Sequence, residues 1–169
     1  MDYREFCQTL NALLEGRNLR ADGAETAINA IALGVGVSAG EIALLLADDR
    51  AHVLNFFWPR SLQNAGSVPF SSKESLAART YRERVGTLNN RFAATRHASI
   101  FEALPLKEQG GKALPIQKIV SVPLLRNDIC LGVLQVCRKA ADAKDAGPDF
   151  SQADLRGLAQ VAQVLARHL

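Results

Sequence analysis

Apolar residues fall at Tyr3, Phe6, Cys7, Leu10, Leu13 and Leu14, spacings that trace one stripe of a helix. The stripe predicts a leading helix over Asp2 to Glu15, stopped by Gly16 and Asn18. A second helix is expected from Asp22, whose carboxylate suits an N-cap with Glu25 three positions on. Its buried stripe holds Ile28, Ile31, Ala32 and Val35, and Gly34 and Gly36 point to an end near Gly40. The period then shortens. Ile42 to Ala47 and His52 to Trp58 are short apolar runs split by Asp48-Asp49-Arg50-Ala51, as in a β-hairpin. A short strand is expected at Ser67 to Phe70, followed by an amphipathic helix over Lys73 to Arg84 with Leu76, Ala77, Thr80 and Tyr81 turned inward.

From Thr87 to Gly111 there is little regular period, and a loop with a short helix near Ala98 to Leu104 is expected. Ile116 to Leu125 and Ile129 to Arg138 make the clearest hairpin, turned by Arg126-Asn127-Asp128. Its second strand is apolar on both faces, as befits a strand in the middle of a layered domain. Ser151, with Asp154 three residues on, opens a final helix striped by Leu155, Leu158, Ala162, Leu165 and Leu169. The order is helix, helix, hairpin, helix-bearing middle, hairpin, helix: one α+β domain over residues 1–169, with no repeat, low-complexity tract or internal linker.

Composition narrows the function classes. The 169 residues are 48% hydrophobic and 22% charged, which excludes a disordered tail, a collagen-like repeat and a disulfide-rich mini-protein. The longest nearly apolar stretch, Ala27 to Val37, is far short of the roughly 18 residues of a membrane span. Met1-Asp2-Tyr3-Arg4-Glu5 reads as a true start without a signal segment, while Leu169 leaves room for an output domain beyond it. Three cysteines with no close pair fit a reducing compartment, so a cytoplasmic location is expected. The net charge of +3 is scattered, and the pI of 8.9 hints at anions without pointing to nucleic acid.

The wording of the second half resembles a GAF domain. Ile119-Val120-Ser121-Val122-Pro123-Leu124, then Asn127-Asp128, then Leu131-Gly132-Val133-Leu134-Gln135-Val136 is similar to the family's Val-Pro-Leu strand, tight turn and Gly-Val-Leu strand. Phe150-Ser151 with Asp154-Leu155 resembles the opening of its last helix, and Val68-Pro69-Phe70 with Ser75-Leu76-Ala77 its mid-domain strand and helix start. The resemblance covers residues 20–169, with 1–19 as a leading helix; the two leading helices and the paired ending set it apart from the related PAS architecture. It implies a central antiparallel sheet of about six strands, terminal helices on one face, and a small-molecule pocket under the middle segment on the other. It also implies a sensory or regulatory module, often dimeric, of bacterial signalling type, either stand-alone or N-terminal in a longer protein. An interaction-only dimerisation domain with a filled cavity is the alternative, and an enzyme like free methionine sulfoxide reductase the remote third.

The chemical subclasses of the family leave the ligand unknown. Cyclic-nucleotide binders carry Asn-Lys…Phe-x-x-x-Asp-Glu; Asn90-Arg91 and Phe101 resemble the first part, but Leu104 and Pro105 stand where acids belong. No cysteine has the adjacent histidine of the bilin binders. Cys130 and Cys137 are seven apart on one expected strand, so alternation sends them to opposite faces, and Cys7 lies on a buried helix stripe; no catalytic cysteine is expected. His52, His97 and His168 have no partner at metal-ligand spacing, so no metal site is expected.

Alternation suggests where a pocket floor would lie. Val53, Asn55 and Phe57 share one side of their strand, Ile119 and Ser121 one side of theirs, and Leu131, Val133 and Gln135 one side of the last. Each set carries one polar residue that a helix-packed face would not want, which nominates Asn55, Ser121 and Gln135 as the floor, with Phe57 on the same side as Asn55; the alternative is that the three bond to each other or to loop backbone. The middle segment Thr87 to Gly111, with Gly110-Gly111, reads as a lid whose Asn90, Arg91, Phe92, Arg96, His97 and Phe101 meet an apolar or anionic ligand. The long stripes of the end helices predict a twofold dimer through Leu10, Leu14, Leu158 and Leu165. Neither a nucleic-acid nor a membrane partner is expected.

Overall fold

The computed structural model describes residues 1–97, 100–103, 105–106 and 112–169, with the side chains of 100, 103, 105, 106 and 112 left aside. In chain order, helices α1 (Tyr3–Leu13) and α2 (Ala24–Val35) precede strands β1 (Ile42–Asp48), β2 (Val53–Trp58) and β3 (Ser67–Pro69). Helix α3 (Leu76–Glu83), strand β4 (Thr87–Asn89) and a small ribbon of β5 (Pro105–Leu106) and β6 (Lys112–Ala113) follow. The long hairpin β7 (Ile116–Arg126) and β8 (Ile129–Lys139) and helix α4 (Gln152–Arg167) complete the chain. Six strands form one antiparallel sheet in the order β3-β2-β1-β8-β7-β4, with β5 and β6 paired apart from it. The expected α+β class, sheet and helix layer are all present.

The helix ends show why these segments fold locally. Asp2 accepts the Arg4 and Glu5 N–H groups and starts α1. Ser151 and Asp154 exchange the two hydrogen bonds of a capping box at the head of α4. The start of α2 departs from expectation: Asp22 accepts the Asn18 N–H, Leu19–Gly23 winds into one wide π turn, and the α-helix begins at Ala24. It also ends earlier, at Val35, because Gly36 adopts the left-handed conformation there. Arg138 then donates to the Val35 and Gly36 carbonyls that the helix end exposes.

The sheet separates two cores. On one side α1, α2 and α4 pack on Ile42, Leu44, Leu46, Val120, Val122, Leu124, Leu134 and Val136. Leu10, Leu14, Leu158 and Leu165 lie at 0% exposure within this layer. The expected dimer surface is therefore incorrect as drawn. With α2 beside them, the two end helices use their leucines within one chain, and little apolar stripe is left for a second copy. Each such leucine contributes about 1.5–3 kcal/mol by burial.

One close approach fixes the middle of the sheet. A Cβ on Gly132 would stand 2.0 Å from the Leu45 carbonyl oxygen, so β8 can lie against β1 there only with glycine. The β7–β8 pairing slips in register directly beside this glycine: Gly132 is opposite Leu124 and Cys130 opposite Leu125, which leaves Leu131 as the extra residue. Beyond the slip alternation shifts by one: Leu131 packs with the helix layer, whereas Val133 faces the other core. Leu131 thus leaves the side on which simple alternation placed it with Val133 and Gln135.

Candidate functional site

The second core is the place for a site. Leu45, Leu54, Phe56, Ile119, Val133 and Cys137 rise from the sheet to meet Ala77 of α3 and the rings of Phe92 and Phe101. Ser75 starts α3 by accepting the Ala78 N–H at 3.2 Å, which points the helix across this face. Thr80 of α3 then meets the sheet: its hydroxyl and that of Ser121 are 2.8 Å apart, and Gln135 Nε2 donates to Ser121 Oγ at 3.2 Å. Ser121 and Gln135 are opposite each other across β7 and β8, so the two expected floor residues do come together.

Asn55 and Phe57 do not join them. Strand β2 has the opposite phase: Leu54 and Phe56 face α3, while Phe57 packs against the helix-layer core. Asn55 sits opposite Leu46 and accepts the Ser67 hydroxyl at 2.5 Å. The slip in pairing between Leu44 and Leu45 accompanies this phase, and Asn55, bonded to the edge strand, lines with Phe57 an open hollow of about 510 Å³ beside β1 and β2, apart from the cleft at α3.

Two cavities lie under α3. The inner one, between Leu45, Phe56, Val68, Leu76, Phe92, Phe101, Ile119 and Gln135, has a volume of about 20 Å³. That is room for about one water molecule. The floor is thus nearly filled by its own side chains. Outside it, and sharing Ser75, Leu76 and Phe92 with it, opens a cleft of about 200 Å³. Its walls are Lys73 and Glu74 from the loop ahead of α3, Arg79 from α3, Thr87 and Asn89 from β4, and Thr95, Arg96 and His97 from the segment that follows.

The roof is tied down by charged groups. Lys139 lies 4.2 Å from the Phe101 ring centroid, donates to the Phe101 carbonyl oxygen, and is almost wholly buried. Burial pushes its ammonium down, and burial pushes the neighbouring Cys137 thiol well up. Glu102 Oε1 accepts the Ile116 N–H at 2.8 Å and lies 3.0 Å from His97 Nε2. The other ring nitrogen of His97 is 2.7 Å from the Thr95 carbonyl oxygen, and the ring stacks on Phe92 with centroids 4.0 Å apart. Both ring nitrogens thus face oxygen atoms of the protein.

The remaining expected lid residues divide. Arg96 reaches Glu74 at 2.8 Å with a side chain 90% exposed. Arg91 is exposed and lines neither cavity; its backbone N–H donates to Asn89 Oδ1. Asn90 turns away from the cleft and exchanges two 2.9 Å hydrogen bonds with the backbone of Phe150, at the approach to α4. Part of the expected lid is regular sheet, since β4 pairs with β7 at Thr87–Ser121, Leu88–Val120 and Asn89–Ile119. Its Ala98-Ser99, Leu104 and residues 107–111, including Gly110-Gly111, lie outside the described residues.

Lys73, Glu74, Ser75 and Arg79 are site residues that sequence reasoning missed. Lys73 and Glu74 were taken into the expected helix, although Ser75 ahead of Leu76 is itself an N-cap signal that would have left them in the loop. Among the described residues no cluster of three or more His, Cys, Asp or Glu could hold a metal ion. The three cysteines are free thiols. Burial raises the thiols of Cys7 and Cys130, as it does that of Cys137. No helix of the described residues is long and apolar enough to cross a membrane.

No protein-family model matches the sequence, and no curated protein matches it. Solved structures do. The GAF domain of a phosphoenolpyruvate-protein phosphotransferase from Coxiella burnetii superposes with a TM-score of 0.73 at 11% identity, covering 99% of this chain and 92% of that one. The corresponding Acinetobacter domain gives 0.67 at 17%, over 98% and 89%. A free methionine-R-sulfoxide reductase from Neisseria meningitidis, in complex with its substrate, gives 0.69 at 16%, over 98% and 87%. With its six-stranded antiparallel sheet, three helices on one face and α3 with a cleft on the other, the chain has the GAF domain fold.

Proposed function

We propose that this domain is a non-catalytic sensory module that takes up a small molecule in the cleft beside α3 and passes its occupancy to the helix layer. The observation that carries this reading is the double hydrogen bond between Asn90 and Phe150. Asn89, next in the chain, lines the cleft, and Phe150 directly precedes the capping box of α4. A shift of β4 on ligand binding therefore pulls on the head of α4 without a flexible connection between them. Two of the similar structures are domains of phosphotransferases, which agrees with a regulatory role.

The thiols favour the absence of catalysis. Cys130 and Cys137 share β8 about 23 Å apart along the strand, beyond disulfide reach, and burial keeps all three sulfurs in the poorly nucleophilic thiol form. Three free thiols also suit a reducing, cytoplasmic setting. Self-association stays in the proposal in altered form, through polar outer positions of α1 and α4 such as Gln8, Gln160 and Gln163.

A second reading, an interaction-only domain, is favoured by the inner cavity of about 20 Å³. A metabolite library screened by thermal shift, with hydrogen exchange followed at α4, separates the two. The sensory reading expects a hit that alters exchange at residues 150–156. A screen without hits leaves the interaction-only reading, and thiol-dependent turnover of free methionine sulfoxide would replace both.

A further inference from the structure

We infer that the cleft beside α3 is an anion site, whose ligand is a compact metabolite bearing a carboxylate or phosphate on a flat or apolar body. The inference rests on the sensory reading and adds the ligand class. Lys73, Arg79 and Arg96 bring three basic side chains to a cleft of about 200 Å³. Glu74 is the one carboxylate among the lining residues.

The cations are held loosely. Arg96 pairs with Glu74, but its side chain is 90% exposed, and Arg79 pairs with Glu83 at a site where both side chains are about half exposed. Exposed pairs of this kind are worth only about 0–1 kcal/mol, so an incoming anion displaces them at little cost. Lys73 makes no ion pair among the described residues, which leaves its ammonium open to a ligand. Guanidinium groups bind carboxylate and phosphate through paired N–H donors, so both chemistries fit the same residues.

The inner wall supplies the complementary surface. Phe92 and Leu76 belong to both cavities, and Phe92 is backed by the stacked His97 ring. An anionic head at Lys73 and Arg96 therefore leaves its apolar body against Phe92 and Leu76. Glu74 is the built-in competitor, since its carboxylate pairs with Arg96 at 2.8 Å. The volume is below the range of drug-sized pockets, which fits a molecule of metabolite size.

The test uses the whole chain with benzoate, phenylphosphonate and uncharged benzamide, titrated at low and at moderate salt. Benzoate or phenylphosphonate should bind and benzamide should not, and which of the two anions binds tighter assigns the head group. Lys73→Ala and Arg96→Ala should each weaken binding roughly tenfold, the loss of one charge-assisted contact. Glu74→Gln should tighten it severalfold by freeing Arg96, and added salt should weaken it. All three substitutions fall on exposed side chains, so the fold survives them. Binding of benzamide as tight as benzoate, or Glu74→Gln that weakens the anion, overturns the anion site while leaving a small-molecule module. Failure of every probe to bind, with no change in amide resonances around Leu76 and Asn89, overturns both.

Discussion

The ring of Tyr3 occupies the space that a side chain at Gly157 would need: a Cβ there would stand 2.0 Å from Tyr3 Cγ. The Tyr3 hydroxyl donates to Asp154 Oδ1 at 2.9 Å, one turn earlier on the same helix. The first and last helices are thus pinned by a ring against bare backbone. Gly157→Ala should destabilise the domain by about 1–3 kcal/mol despite alanine's advantage of roughly 1 kcal/mol in helices. In a Tyr3→Ala background the same change should cost little or even stabilise. Denaturant unfolding of the four proteins checks both statements, and additive costs would show that the contact is unimportant.

Acid should loosen the same junction. Burial alone pushes the Asp154 carboxyl up, but the Ser151 backbone and hydroxyl and the Tyr3 hydroxyl outweigh it and hold the group below its ordinary 3.8. A carboxyl depressed in the folded state contributes stability above its unfolded pKa, and that contribution disappears as pH falls through the folded value. Thermal midpoints should therefore drop below about pH 4. Asp154→Asn should lower the midpoint near neutrality and flatten the acid limb. An unchanged acid limb in that variant would count against the assignment.

Substitutions in the end-helix leucines report on the monomer. Leu10→Ala and Leu165→Ala each open a cavity in a filled layer and should cost about 2–5 kcal/mol. The mass in solution should not change with either. If either variant shifts a dimer to monomer at unaltered stability, the burial of these leucines within one chain is wrong.

Asn90 should matter to α4 more than to the cleft. Asn90→Ala removes both hydrogen bonds to Phe150 and should cost about 1–3 kcal/mol. Hydrogen exchange should rise at residues 150–156 before it rises in β7 and β8. An occupant of the cleft should still bind this variant but should no longer alter exchange at α4.

The parts legible in the sequence are those where one strong local signal decides. The Ser151/Asp154 capping box and the Ile116 and Ile129 strands carry such signals: the strands' expected bounds differ from the observed ones by one residue or none at each end, and the helix begins as expected and stops two residues before Leu169. Strand β4 was missed because its three residues, Thr87 to Asn89, are too few to show alternation. The phase of β2 was inverted because Asn55 looked like a floor residue, whereas its partner Ser67 comes from a strand whose placement alternation cannot give. The stripes of α1 and α4 looked too long for one chain because nothing local says that α2 stands beside them. Ser121 and Gln135 do share one face of the sheet, as expected, because parity along a strand holds away from the slip near Gly132.

The outermost strands of the sheet, β3 and β4, are three residues each, and Pro69 closes β3. Along β3 and β4 themselves a neighbouring chain seeking to extend the ladder meets only a few backbone groups, and Pro69 offers no N–H. Growth by strand addition, the first step toward fibrous aggregates, is thereby blunted along these two short strands.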